Sequence, residues 1–297
     1  MKPELLVIAG PTASGKTALA IELARRIDAE IVGADSQQVY RNFDLGTAKP
    51  SAEELAAVPH HLVSVVEPQE PFSAARYQAM ADEAIAAIHA RGKRVVVVGG
   101  TGLYIRILLH GVTAAPGKDP EVRARLEEEM ERLGRPALHE RLARVDPETA
   151  ARISPNDAVR IIRALEIHTL TGQPASEHRR QHGFAEERHP FRLFVLEPPR
   201  DALYERINRR VDVMWNEGLL EETRALVERG FRDASPMRSV GYVQALSVLE
   251  GRMTREAAVE DHAKQTRHYA KRQLTWFRRE VGARFIPPPY DALRAVE

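Results

Sequence analysis

The chain has 297 residues, a net charge of +1, 43% hydrophobic residues and 29% charged residues, which is the composition of a globular protein with one large or two smaller domains. It contains no cysteine, so disulfides, thiolate zinc sites and cysteine nucleophiles are excluded, and magnesium becomes the expected metal. No apolar run approaches the roughly 18 residues of a membrane helix, and the run at 5–9 is too short for a signal sequence. We therefore expect a cytoplasmic protein without a membrane partner.

The first hundred residues alternate between strand and helix patterns. Buried strands are predicted at 5–9, 30–34 and 94–98, the last being a β-branched run typical of a central parallel strand. Helices are predicted at 17–26 and 73–91 from the spacing of their apolar residues. This order predicts an α/β fold with a doubly wound parallel sheet, which binds ligands beyond the carboxyl ends of its strands.

The loop between the first strand and the first helix matches the phosphate-binding pattern G-x-x-x-x-G-K-[ST] in its required context. Its glycines let the backbone wrap a diphosphate, its lysine adds a cation, and its final hydroxyl is suited to ligate magnesium. The pattern predicts a P-loop NTPase-like core and a phosphate site, but it does not say which phosphate is bound. The loop consists of Gly10, Pro11, Thr12, Ala13, Ser14, Gly15, Lys16 and Thr17.

A polar cluster follows the second predicted strand. Asp35 ends that strand, where substrate-binding and base residues lie in such sheets. A single aspartate at a strand end is also a common turn cap. Ser36, Gln37 and Gln38 continue the polar run and favour the functional interpretation.

The strand predicted at 94–98 ends differently from its counterpart in P-loop ATPases. It continues into Gly99, Gly100 and Thr101, without the aspartate that holds magnesium in those enzymes. The sequence therefore fits steady hydrolysis of a nucleotide less well than another reaction of a phosphate-bearing substrate. Thr101 itself is either a site residue or a helix N-cap.

From Pro116 onward the pattern becomes purely helical. Asp119 and Pro120 form a helix start. Helices are predicted at 121–133, 136–145, 147–153 and 157–170, before a strand at 192–196 and a helix pair from 200 to 228. We therefore predict a helical insertion subdomain at 116–190, between a first core segment at 1–115 and a segment at 191–297 that returns to the core and ends in basic helices.

The end of the chain is basic. Seven lysines or arginines lie between 264 and 284, against the single acid Glu280. A solvated basic helix and a nucleic-acid surface both fit this pattern. Tyr269, Trp276 and Phe277 lie among these cations, and aromatic rings are surfaces on which exposed RNA bases stack.

Further motifs extend over nearly the whole chain. They are Gly10–Thr17, Asp35-Ser36, Tyr40, Asp44–Pro50, Gly99–Tyr104, Asn156-Asp157, Arg160, Arg163–Glu166, Gly241-Tyr242, Thr266-Arg267 and Lys271–Arg278. Together they resemble the bacterial tRNA dimethylallyltransferase family, and the segments near 44 and 271 are far more specific than a phosphate loop. The resemblance implies Mg²⁺-dependent transfer of a dimethylallyl group from dimethylallyl diphosphate to the N6 amine of the adenosine 3′-adjacent to the anticodon. The expected partner is the anticodon stem-loop of tRNA, and we expect a monomer.

The resemblance also implies roles for single residues. Lys16 and Thr17 hold the diphosphate and its magnesium, and Arg210 pairs with the diphosphate. Asp35 accepts the proton of the N6 amine, and Thr101 contacts the target nucleotide. Lys16, Asp35 and Thr101 are the implied catalytic residues. The implied tRNA contacts are Asp35, Ser36, Gln37, Gln38, Thr101, Arg123, Val159, Arg160, Ile161, Ile162 and Arg163.

One position departs from the family. After Gly241 and Tyr242 the family usually has arginine or lysine, whereas this chain has Val243. A nucleic-acid contact at that position is therefore in doubt.

Three other functions fit parts of the pattern. A small-molecule kinase with a P-loop uses an aspartate such as Asp35 to deprotonate a hydroxyl. An enzyme that prenylates free adenine nucleotides has the same chemistry, but it has no need of Arg123, Arg160, Arg163 or the basic C-terminal helix. An RNA-binding module with a regulatory phosphate loop shows no turnover.

Overall fold

The computed structural model describes residues 3–112, 115–183 and 187–290, which fall into two compact units. The core unit combines Met1–Leu109 with Arg188–Glu297, and the helical unit is His110–Glu187. In the described residues, the strands are β1 (Leu5–Ala9), β2 (Ala29–Gly33), β3 (His60–His61), β4 (Arg94–Gly99), β5 (Phe191–Leu196) and β6 (Ala283–Ile286). The helices are α1 (Lys16–Arg26), α2 (Ala52–Ala57), α3 (Ala74–Ala90), α4 (Gly102–His110), α5 (Pro120–Leu133), α6 (Arg135–Val145), α7 (Pro147–Arg152), α8 (Ala158–Thr171), α9 (Ala175–His182), α10 (Arg200–Asn216), α11 (Leu219–Glu228), α12 (Tyr242–Leu249) and α13 (Arg255–Phe277).

The described strands of the core unit form one six-stranded sheet in the order β3-β2-β4-β1-β5-β6. Every neighbouring pair is parallel; for example, Val7 of β1 lies opposite Val97 of β4 and Leu193 of β5. Since the carboxyl ends of parallel strands share one edge, the residues after β1, β2 and β4 lie along the same rim. The predicted α/β fold with a parallel sheet is confirmed.

Both faces of the sheet are covered, which explains its continuous apolar strands. Val7 and Val97 lie in a buried cluster with residues of α3, α4 and α13. Ile8 and Val98, one residue further along each strand, lie in a separate cluster with residues of α1. Alternate side chains of a strand point to opposite faces, so a doubly covered strand is apolar at every position.

The helical unit has its own core. Leu126 of α5, Leu138 and Leu142 of α6, and Ile161 and Leu165 of α8 are buried against one another. The helix start predicted at Asp119 and Pro120 is confirmed, since the Asp119 side chain accepts a hydrogen bond from the Val122 N–H at 2.9 Å.

The structure corrects the basic C-terminal stretch. Of the predicted basic C-terminal helices, α13 forms but ends at Phe277, so no helix extends over the whole of 264–284, and Arg284 lies in the edge strand β6. The two-residue strand β3 and the four-residue strand β6 were too short to be predicted from periodicity. None of the helices in the described ranges combines the length and the apolar character that spanning a membrane requires.

Candidate active site

The phosphate loop lies between β1 and α1, at the carboxyl edge of the sheet. Gly15 has φ +91°, a left-handed conformation that glycine adopts without strain, and α1 begins directly after it. The Lys16 Nζ donates to the Pro11 carbonyl at 3.2 Å, which folds the lysine back over the loop. The first N–H groups of a helix have no intrahelical acceptor, so those of α1 are available to an anion.

The surroundings of Lys16 change the pKa of its ammonium group. The pKa of Lys16 is lowered to about 8, chiefly because the lysine is buried; the nearby Asp35 carboxylate acts against this shift, and the Arg210 cation adds to it. Lys16 and Arg210 thus repel each other in the free protein. Because an anion bound near two such cations relieves this repulsion, the pair is suited to hold an anionic group.

Asp35 lies just beyond β2 and is half-buried. Its Oδ1 accepts hydrogen bonds from the backbone N–H groups of Gln37 at 2.8 Å and Gln38 at 3.3 Å. Asp35 therefore does cap a turn, as the alternative interpretation holds. One carboxylate oxygen performs this task, and the turn leaves the second oxygen free of those two bonds.

Thr101 lies beside Asp35, although the two are far apart in the sequence. The Thr101 Oγ1 accepts from the Ser36 N–H at 3.0 Å, and the Thr101 N–H donates to the Ala34 carbonyl at 3.1 Å. These bonds join the loop after β4 to the residues after β2. Thr101 is thus held in place by the residues on either side of Asp35.

A cavity of about 450 Å³ in the core unit is lined by the phosphate loop, Arg210 and Asp35. Thr101 is not one of its lining residues, but it is hydrogen-bonded to Ser36, which is. The walls of the cavity come from the phosphate loop, the polar cluster, the segment around residue 47, the helix α10, the turn before α12 and one face of α13. The lining residues include Thr12–Ala18, Asp35–Gln38, Gly46–Ala48, Arg210, Arg238–Val240, His262, Thr266, Tyr269, Arg272 and Gln273. Groups suited to bind an anion and the Asp35 carboxylate therefore line the same partly open cavity.

Sequence reasoning missed the contribution of α13 to this cavity. His262, Thr266, Tyr269 and Gln273 recur every three or four residues and so share one face of the helix. Burial raises the pKa of Tyr269, and the nearby Asp35 carboxylate raises it further, so the ring stays neutral. The helical spacing of these four residues was the signal available in the sequence, but the many lysines and arginines of the segment obscure it.

The segment Asp44–Pro50 forms another wall and is braced from outside the cavity. The Tyr242 hydroxyl accepts from the Gly46 N–H at 3.2 Å and donates to Glu222, which also accepts from the Leu45 N–H at 2.9 Å. The family motif at Tyr242 thus supports this loop. The neighbouring Val243 is 40% exposed.

The residues of α8 that are predicted to contact tRNA differ in how exposed their side chains are. Ile161 and Ile162 are 0% and 5% exposed, so their side chains belong to the core of the unit. Both side chains are withdrawn from solvent, so of these two residues only the backbone could contact tRNA, and the predicted contact stays a prediction. Val159 is 69% exposed, and the Arg160 side chain is 65% exposed while pairing with Asp157 at 3.0 Å.

Arg123 and Arg163 lie in a buried ion cluster. The fully buried Glu166 accepts from Arg163 at 2.7 Å, from Arg123 at 3.4 Å and from the Asp119 N–H at 2.9 Å. Arg163 also donates to the Pro116 and Gly117 carbonyls. Both guanidinium groups therefore balance a buried carboxylate, a structural task that competes with binding RNA phosphates.

This difference in burial predicts a difference in stability. We expect Ile161→Ala to lower the free energy of unfolding by about 2–5 kcal/mol, since it removes buried methyl groups and leaves a cavity. Val159→Ala, two residues away on the same helix, changes an exposed side chain and should stay within about 0.5 kcal/mol of the parent. Urea unfolding followed by circular dichroism measures both. Equal losses in the two variants would contradict the assignment.

The donor set of the cavity suits magnesium held mainly by its substrate. In the described ranges no group of three or more histidine, cysteine, aspartate or glutamate side chains is arranged to hold a metal. The Thr17 hydroxyl and the Asp35 carboxylate both line the cavity. Mg²⁺ commonly keeps several waters and binds through few protein ligands together with substrate phosphates, so this sparse oxygen set fits it.

Comparison with known proteins agrees with this geometry. The chain is 66% identical over 291 residues to a protein named tRNA dimethylallyltransferase from Myxococcus xanthus, covering 98% of this chain and 94% of the relative. It resembles the crystal structure of a tRNA isopentenylpyrophosphate transferase from Bacillus halodurans, with 41% identity, a TM-score of 0.71, and coverage of 96% and 90% of the two chains. A structure of a eukaryotic dimethylallyltransferase acting on tRNA matches with 28% identity and a TM-score of 0.77, covering 96% of this chain and 74% of that chain.

The family match is independent of the phosphate loop. The sequence profile described as IPP transferase matches residues 38–280, which begin well after Thr17. It includes the cavity segment near residue 47 and the whole of α13. The chain therefore belongs to the IPP transferase family.

Proposed function

We propose that this protein transfers a dimethylallyl group from dimethylallyl diphosphate to the N6 amine of the adenosine 3′-adjacent to the anticodon of tRNA. The products are the N6-dimethylallyl adenosine and diphosphate. One observation carries the proposal: the phosphate loop with Arg210, which together form an anion cradle, and the Asp35 carboxylate line the same cavity. The names of the relatives support the same activity.

The anion cradle suits a leaving diphosphate. When the allylic C–O bond breaks, negative charge develops on the diphosphate oxygen that departs. The Lys16 ammonium, the Arg210 guanidinium and the first N–H groups of α1 form a preorganised positive environment for that charge. The phosphate loop thus serves departure of the diphosphate rather than transfer of a phosphoryl group.

The acceptor side needs a different group. An exocyclic adenine amine is a weak nucleophile because its lone pair is delocalised into the ring. As the new C–N bond forms, positive charge builds on N6 and one proton must leave. We assign that proton to the Asp35 carboxylate, which orients the amine and accepts the proton, and we assign a contact with the target nucleotide to Thr101.

We further propose that Mg²⁺ assists departure of the diphosphate. The Thr17 hydroxyl is the protein ligand we assign to it, with the substrate phosphates and water completing its shell. The ion supplies charge neutralisation on the diphosphate.

The exposed surfaces of the core unit suit an RNA substrate. The Arg272 guanidinium lies 5.6 Å from the centre of the Tyr269 ring, and both side chains line the cavity. Guanidinium planes and aromatic rings are the usual stacking partners of an unstacked RNA base. We assign phosphate contacts to exposed cations of the basic stretch, such as Lys264, Lys271 and Arg279.

These cations predict a salt dependence. Affinity for tRNA should fall steeply as salt rises, with a slope of about −0.7 to −0.9 in log affinity against log salt for each neutralised phosphate. Lys271→Ala should reduce that slope by roughly one. Lys93→Ala, which removes a half-buried lysine just before the first residue of β4, should leave it unchanged. Fluorescence titration of labelled tRNA measures this, and a flat plot for the parent protein would contradict it.

One experiment separates the main alternatives. The protein is incubated with tRNA, dimethylallyl diphosphate and Mg²⁺, and the digested tRNA is analysed by mass spectrometry. N6-dimethylallyl adenosine is expected. A parallel reaction with γ-labelled ATP tests for kinase activity, and one with free adenosine nucleotides replacing tRNA tests for prenylation of small substrates. Product in either parallel reaction but not in the first would overturn the proposal.

The oligomeric state and the cellular location of the protein are also proposals. We infer a monomer that acts in the cytoplasm, where its tRNA substrate is found. One copy of the chain supplies the cradle, the carboxylate and the stacking surface, so the site requires no second subunit. Light scattering with and without tRNA tests the monomer.

A further inference from the structure

Gln273 lies in the middle of the site and yet has no role in the proposed chemistry. It is 5% exposed on α13, close to the fully buried Ala270 and Phe277, while its neighbours Lys271 and Arg272 are exposed. A buried amide requires hydrogen-bond partners, because leaving its donor or acceptor unpaired is costly. The hydrogen-bond partners of Gln273 therefore indicate the role of its side chain.

Both ends of the Gln273 amide bind backbone groups of the site. Its Oε1 accepts from the Thr12 N–H of the phosphate loop at 2.9 Å, and its Nε2 donates to the Gly100 carbonyl at 2.9 Å. A backbone N–H only donates and a carbonyl only accepts, so these partners determine which end of the amide is oxygen. The side chain thus spans two loops that are distant in the sequence.

The second loop leads directly to the acceptor side. Gly100 precedes Thr101, whose N–H donates to the Ala34 carbonyl at 3.1 Å and whose Oγ1 accepts from the Ser36 N–H at 3.0 Å. These residues flank Asp35. A continuous series of hydrogen bonds therefore runs from the phosphate loop through Gln273 to the backbone that carries the carboxylate.

The contact is also close-packed. A Cβ placed on Gly100 would lie 2.2 Å from the Gln273 Nε2, so position 100 requires glycine while this glutamine spans the loops. Gly100 was part of the family motif, and its contact with Gln273 gives a physical reason for that glycine.

On the basis of the proposed function, we propose that Gln273 is a positioning residue that sets the separation between the phosphate loop and the segment that carries Asp35. The reaction requires the allylic carbon of the donor and the N6 atom to approach to about 3–3.5 Å, and a misplacement of about 1 Å is enough to slow such a reaction by roughly 10²-fold. Gln273 touches neither reacting group, and it acts through the two loops.

The first test replaces Gln273 with a residue of similar size that cannot form hydrogen bonds. We expect Gln273→Leu to reduce the single-turnover rate of dimethylallyl transfer by about 10- to 100-fold. Affinities for dimethylallyl diphosphate and for tRNA should each stay within about threefold of the parent, because Lys16, Arg210 and the exposed cations remain. Thr275→Ala, an exposed change two residues along α13, should leave both rate and affinities unaltered.

The second test distinguishes positioning from a merely structural role. In Gln273→Glu, the protonated carboxyl accepts from the Thr12 N–H and donates to the Gly100 carbonyl, whereas the carboxylate faces that carbonyl without a proton. The ratio of the variant rate to the parent rate should therefore rise as pH falls across the neutral range, where buried carboxyls titrate. Circular dichroism selects conditions in which every variant is folded.

The possible outcomes are distinct. A Gln273→Leu rate within twofold of the parent, or a Gln273→Glu ratio that is flat with pH, would overturn the positioning role. Loss of donor affinity in step with rate would also overturn it, since Gln273 would then be part of the anion cradle. A parent protein that binds both substrates but transfers nothing would instead refute the proposed function.

Discussion

Asp35→Asn is expected to reduce single-turnover transfer by about 10²- to 10⁴-fold, the range typical of losing a general base. The asparagine oxygen can still accept from the Gln37 and Gln38 N–H groups, which the Asp35 Oδ1 binds at 2.8 and 3.3 Å. The turn should therefore survive with a change of only a few tenths of a kcal/mol, since asparagine and aspartate rank together as caps. The lost property is the basic second oxygen, and the loss should appear in the rate.

The measurement uses saturating tRNA and dimethylallyl diphosphate, with a melting curve and a tRNA titration on the same preparation. Asp28→Asn is the matched control, because Asp28 is exposed just before β2, at the opposite end of the strand from Asp35. Its φ of +55° is a conformation that asparagine also tolerates. Near-parent turnover in Asp35→Asn would remove the carboxylate from the mechanism, and a lower melting temperature with matching activity loss would assign it to the turn alone.

The second large effect concerns the leaving group. We expect Lys16→Ala to slow transfer by about 10²- to 10³-fold and to weaken binding of dimethylallyl diphosphate, because it removes a fixed positive group from the developing charge. Affinity for tRNA should stay within about twofold. Lys93→Ala, which removes a half-buried lysine paired with Asp28, should alter none of these quantities. Collapse of tRNA affinity with intact diphosphate binding would show that Lys16 serves the nucleic acid instead.

The same lysine predicts a pH dependence of donor binding. Burial lowers the pKa of Lys16 to about 8 from its usual value near 10.5, so the free protein loses this charge as pH rises through 8. The diphosphate binds the protonated form, and its affinity should therefore decrease above about pH 8, by up to tenfold per pH unit. Lys16→Ala should lack this component, whereas Lys93→Ala should keep it. Calorimetric titration across this range measures the effect.

Local patterns in the sequence were sufficient wherever chemistry depends on consecutive residues. The phosphate loop was evident from Gly10 to Thr17 because a diphosphate cradle is built from adjacent backbone groups and one helix start. The parallel strands were evident because burial on both faces demands a continuous apolar run. Asp35 and Thr101 were identifiable as candidates since both follow such strands.

Other features depended on contacts between distant residues, which periodicity does not report. Ile161 and Ile162 were expected to contact tRNA from the family resemblance, but only packing in the helical unit shows both side chains inside its core. Gln273 carries no local signal of its role, because its two partners lie more than 170 residues away. The role of a buried amide can be inferred only from the groups to which it is hydrogen-bonded.

The sequence by itself thus determined the fold class and the family and predicted a phosphate site, because each of these depends on short runs of adjacent residues or on motifs in a fixed order. Only the tertiary structure decided which face of α13 lines the cavity, which arginines neutralise Glu166, and how the phosphate loop is joined to the Asp35 side. The physical reason is that burial and hydrogen-bond pairing are properties of neighbours in space, and the parallel sheet brings together chain segments that the sequence keeps far apart.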